Sequence, residues 1–143
     1  MAKTRYGLML LWALFVLSGC GQGLPVVPAS GVVLLDGAPL ANVTIMTQPI
    51  ATNSPNPGPG SFSRTDAEGR FELELVKPAV RGAIIGQHRV MILPVGDAKP
   101  PGGNKWPTSF SDGSLRIQVP KGGTKELRVE LSKRTSGNKK SAG

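Results

Sequence analysis

The chain has 143 residues, with 17 Lys and Arg, 9 Asp and Glu, one His and one Cys. That length suits one domain, and a single Cys excludes an intrachain disulfide. Gly (19) and Pro (13) are abundant and aromatics make up only 5%, a mix that favours an all-β, turn-rich domain over a helical one. The formal charge is +8. Without Lys3 and Arg5, in a segment expected to be removed, 15 basic and 9 acidic residues remain, a net +6. The bases crowd towards the end, at Lys121, Lys125, Arg128, Lys133, Arg134, Lys139 and Lys140. This reads as a solvated basic surface and tail, and nucleic acid is not an expected partner.

A basic start, Lys3 and Arg5, leads into an apolar run from Gly7 to Leu17, and Ser18-Gly19-Cys20 follows. This is the make-up of a secretory signal peptide, and the run is short for a helix crossing a bilayer of roughly 30 Å. Leu17-Ser18-Gly19-Cys20 resembles the lipobox of bacterial lipoproteins. The resemblance implies alkylation of the Cys20 thiol by diacylglycerol, cleavage just before Cys20, and acylation of the new amine. Three acyl chains would anchor the protein stably to a membrane, since two already suffice. Gly21, not Asp, follows the Cys, and by analogy with other lipoproteins this points to the outer membrane of the cell envelope. The expected organisation is a signal peptide over 1–19, a lipidated tether over 20–29, a domain over 30–132 and a basic, disordered tail over 133–143.

Gly31 to Leu35 is a β-rich run ending at the Asp36-Gly37 turn, where Gly accepts positive φ. Asn42 to Gln48 gives a second strand, with Val43, Ile45 and Thr47 on one face, and the two runs read as an opening hairpin. Pro49 to Gly60 holds four prolines, lacks ladder donors and is expected to be a rim loop. Ser61 to Thr65 leads into the tight turn Thr65-Asp66-Ala67-Glu68-Gly69. Beyond it Phe71, Leu73 and Leu75 alternate with Arg70, Glu72 and Glu74, which predicts a strand with one buried and one wet face. Gly82 to Pro94 is a longer strand with His88, Val90 and Ile92 on one face. A Pro/Gly-rich segment, Val95 to Gly113, carries Trp106 and Phe110. Leu115, Ile117 and Val119 alternate, Lys121 to Thr124 turns, and Leu127, Val129 and Leu131 alternate again. The pattern predicts an antiparallel β-sandwich of about seven strands. Its expected core is Val33 or Val32 with Val43, Ile45, Phe71, Leu73, Val90, Ile92, Leu115, Ile117, Leu127 and Val129.

Ser30 to Val33, Asp36 to Ile45, Thr65 to Leu73, Gly82-Ala83 and Gly86 to Val90 resemble the carboxypeptidase regulatory-like, or transthyretin-like, β-sandwich. The resemblance extends to small bacterial lipoproteins built on that domain, through Trp106-Pro107, Ser114 to Val119 and Lys121 to Thr124, and covers roughly residues 30 to 132. It implies a fold and no particular function. Trp106 stands where that family often has Tyr. Transthyretin-like hydrolases of purine degradation need several His residues and a characteristic C-terminal tetrapeptide. This chain has His88 alone and ends Lys140-Ser141-Ala142-Gly143, so that activity is not expected.

No residue set for catalysis emerges. One His without a second His or Cys completes neither a transition-metal site nor a Ser-His-Asp arrangement, and His88 reads as a core residue. Asp66 and Glu68 offer too few oxygens for Ca²⁺, and Asp66 reads as a cap on its own turn. Glu72 and Glu74 lie on a solvated face. Trp106 and Phe110 are the one aromatic pair that could stack on a sugar, or else close the open end of the sandwich. The expectation is therefore a lipid-anchored, non-catalytic envelope protein without cofactor or metal, lipidated at Cys20. Its partner would be an envelope protein or an acidic glycan. A carbohydrate-binding module and an accessory subunit of an envelope enzyme are the alternatives.

Overall fold

The computed structural model describes residues 23–52 and 55–133. The expected signal peptide, Cys20, and the tail from Arg134 lie outside the described residues. Eleven strands and one short 3₁₀ turn make up the described chain, which is an all-β sandwich. The strands are β1 (Val26–Val27), β2 (Ala29–Leu35), β3 (Ala38–Pro39), β4 (Val43–Pro49), β5 (Ser61–Arg64) and β6 (Arg70–Glu72). They continue as β7 (Glu74–Leu75), β8 (Ala83–Ile84), β9 (Gly86–Pro94), β10 (Leu115–Val119) and β11 (Thr124–Leu131). The larger sheet has the order β10-β9-β4-β5-β7, the smaller has β11-β2-β3 with β6 also on β2, and β1 pairs with β8.

The inward faces are the ones that period-two alternation selects. Val43, Ile45, Val90, Ile92, Ile117 and Val119 of the larger sheet meet Val33, Leu35, Phe71, Leu127, Val129 and Leu131 of the smaller, with Leu73 between. Leu115, expected in the core, is half-buried and packs against its margin.

Four expectations change. The sandwich is not antiparallel throughout, because β11 runs parallel to β2 from Thr124–Ala29 to Leu131–Leu35. The turn before β11 docks on the chain just ahead of β2, with the Thr124 N–H donating to the Pro28 carbonyl at 2.9 Å. Both strands therefore start at the same pole and must run the same way. The opening hairpin is also different. β2 pairs with β3 at Leu34–Pro39 and Leu35–Ala38, and with β6 at Ser30–Val32. Its edge is thus filled, and β4 joins β9 and β5 in the larger sheet instead. The expected tether contributes structure from Val26, which pairs with Ile84, and Ala29 is buried. The alternating run Arg70 to Leu75 is one strand in pattern but serves two sheets. At Leu73 it leaves β2, donating to the Ala29 carbonyl at 2.9 Å, and then continues beside β5. Strands that change sheets in this way form the corners of a sandwich.

The turn ahead of β6 follows its sequence. The Asp66 Oδ1 accepts the N–H of Glu68 at 3.0 Å and of Arg70 at 2.8 Å. Gly69 has φ +71, and its carbonyl accepts the Val33 N–H at 2.8 Å. The corner is thereby fastened to β2, and Phe71 enters the core two residues later.

Candidate functional site

His88 lies on β9 between Pro49 of β4 and Ile117 of β10, with no solvent exposure. Its Nε2 donates to the Ile84 carbonyl at 2.7 Å, which places the proton there. Its Nδ1 is buried and has no hydrogen-bond partner. Thr47, Ser61 and Thr65 are the other polar residues in the described buried set, and none of them carries a charge. Burial pushes the His88 pKa below its ordinary 6.5, against a smaller upward effect of the Ile84 hydrogen bond. The folded state therefore takes up this proton less readily than the unfolded chain. The stability that depends on neutral His88 is complete above pH 6.5 and is lost as the pH falls towards the lowered folded value. Denaturant midpoints read from neutral pH to about pH 5 should fall more steeply in the wild type than in His88→Met. Equal slopes would remove His88 as their cause.

Trp106 and Phe110 do form a pair, with ring centroids 6.0 Å apart and planes at 59°. The pair faces inward, contrary to an open stacking platform. Phe110 is 2% exposed, and Trp106 packs half-buried on the core with its Nε1 donating to the Ala98 carbonyl at 2.7 Å. The rings close one end of the sandwich, and Phe110 offers no free face to a ligand.

What sequence reasoning missed is a cleft of about 720 Å³ on the outer face of the smaller sheet. Its floor includes Ser30 and Val32 of β2, Arg70 and Glu72 of β6, and Lys125, Glu126 and Arg128 of β11, and its wall includes Ser63, Arg64 and Asp66, so four bases stand with three carboxylates. The wall is laced to the floor where the Glu72 N–H donates to the Ser63 Oγ at 3.2 Å. Arg128 pairs with Glu130 at 2.5 Å, and Glu72 lies 3.9 Å from Arg81. Among the described residues no carboxylate stands within ion-pair distance of Arg64, Arg70 or Lys125. Such a cleft offers solvated donors to an acidic group. The period-two pattern hinted at Arg70 and Glu72 as outward residues. Nothing local placed Lys125 beside them, because that requires β11 to lie along β2.

No group of three or more His, Cys, Asp or Glu among the described residues is placed to hold a metal ion. No helix among them is long and apolar enough to cross a membrane. Comparison with known proteins gives no match to a family model, a curated protein or a solved structure.

Proposed function

We propose that this chain is a lipid-anchored, non-catalytic cell-envelope protein that displays a transthyretin-like β-sandwich at the membrane surface, at the outer membrane by the residue after Cys20. The observation that carries this reading is Leu17-Ser18-Gly19-Cys20, set behind a basic, apolar leader and only four residues ahead of Leu24. The all-β sandwich supports it. Metabolic labelling with palmitate tests it. The wild type should incorporate label and Cys20→Ala should not, and equal labelling of both would sink the lipid anchor.

A second reading, an acidic-glycan binding module, is favoured by Arg64, Arg70 and Lys125 around the cleft. Retention on an immobilised acidic polysaccharide, lost in Arg64→Ala with Arg70→Ala and kept in Trp106→Ala, would favour it. Retention that depends on Trp106 would move the ligand away from the cleft.

A further inference from the structure

The two ends of the sandwich differ in charge and in apolar exposure. One pole gathers the start of the described chain at Gly23 to Pro25, the segments 49–52 and 55–60, the loop 76–82 and the turn 120–124. Their proximity follows from pairing. Val26 and Val27 lie beside β8, Pro49 beside His88, Gly86 beside Val119, and Ala29 beside Thr124. These segments contain Lys77, Arg81 and Lys121 and not one carboxylate. At the opposite pole the segments 36–42, 65–69 and 95–114 contain five carboxylates, Asp36, Asp66, Glu68, Asp97 and Asp112, against Lys99 and Lys105, and Lys133, whose N–H donates to the Asp36 Oδ1 at 3.3 Å, adds a third lysine.

Apolar exposure follows the same division. Among the described residues the exposed large hydrophobic side chains are Leu24 at 46%, Val76 at 52%, Val80 at 43% and Phe62 at 43%. The first three lie in the basic pole, and Phe62 is the second residue of the strand that leaves it. Val76 to Arg81 is an exposed run in which two valines alternate with cations and no acid intervenes in sequence; Glu72, itself exposed, lies 3.9 Å from Arg81, and no ion pair involves Lys77 among the described residues. Protruding apolar side chains among cations match a bilayer interface, where apolar groups enter the acyl boundary and Lys or Arg meets anionic headgroups.

We propose that this basic pole docks on an anionic lipid bilayer, with Val76 and Val80 inserted and Lys77, Arg81 and Lys121 over the headgroups. The inference deepens the lipid-anchor reading and rests on it for the nearness of the membrane. Cys20 precedes Leu24 by four residues, which reach at most about 14 Å. Because β1 fixes the chain from Val26 onward, an anchor at Cys20 holds this pole, and not the acidic one, at the surface. The sandwich then stands with its long axis away from the membrane and its acidic pole outward.

The test uses the full chain in vesicles of phosphatidylethanolamine with phosphatidylglycerol, after the mass of the purified chain has reported whether Cys20 is acylated. An environment-sensitive dye is attached at Val80→Cys or, in a second preparation, at Glu68→Cys. The dye at position 80 should shift to the blue and be quenched by nitroxide-bearing lipid, and the dye at 68 should read water. Lys77→Glu with Arg81→Glu, both exposed, should weaken the position-80 response at least about tenfold. Vesicles of phosphatidylcholine alone should weaken it too. An acylated chain with both dyes in water overturns the docking and leaves the anchor standing. An unacylated chain whose position-80 dye still responds to vesicles overturns the anchor and leaves the docking standing.

Discussion

Phe71→Ala should lower the unfolding free energy by about 3–5 kcal/mol, the range for removing a buried phenyl ring. Phe71 is 4% exposed and belongs to the core shared by both sheets. It sits across from Gly31, the one inward position of β2 without a side chain. The backbone of β11 runs so close to Gly31 that a Cβ there would overlap the Leu127 carbonyl oxygen. β2 therefore has no side chain with which to fill the hole, and the cavity term should persist. Denaturant titration of both proteins measures the difference. A loss below about 1 kcal/mol would mean that the ring does not support the core.

Gly69→Val should cost more than about 2 kcal/mol. The backbone there has φ +71, where a side chain with a Cβ is strained by roughly 1–2 kcal/mol. The new Cβ would also lie 2.7 Å from the Val33 carbonyl oxygen and 2.8 Å from the Leu40 nitrogen. Those two atoms are hydrogen-bonded to each other at 2.9 Å, so the valine also pries at the joint between β2 and the segment after β3. Asp66→Ala should act on the same corner more gently, by on the order of 1 kcal/mol, since it removes an exposed acceptor of two N–H groups. Thermal melting with calcium and with chelator separates a structural turn from a metal site. Neither variant's deficit should depend on calcium. A calcium-dependent rise of the wild-type midpoint that vanishes in Asp66→Ala would make the turn a site.

The corner was legible because everything that shapes it is local. Asp66 caps residues two and four ahead, Gly69 supplies the positive φ, and alternation then orients Phe71, Leu73 and Leu75. The inward faces of β4, β9 and β11 were legible for the same reason, as was the burial of His88. Partnerships between strands were not. Alternation says which side chains turn inward and is silent on which edge a strand joins. The parallel pairing of β11 with β2, the passage of the chain between sheets at Leu73 and the pairing of Val26–Val27 with β8 were therefore hidden. Trp106 and Phe110 lie in a segment with no period, so closure of the sandwich end was legible from the aromatic pair itself, while which ring is the more deeply buried had no local signal. The cleft combines these cases: its residues read as an ordinary wet face until β11 brings Lys125 and Arg128 alongside Arg70.

The lipid anchor is tested most directly by the intact mass of the protein extracted from its own membranes, with fragmentation to locate the first residue. The prediction is a chain that begins at Cys20 and carries a diacylglyceryl group on the thiol and an acyl group on the amine. An unmodified thiol at Cys20, or a chain that begins elsewhere, would contradict it.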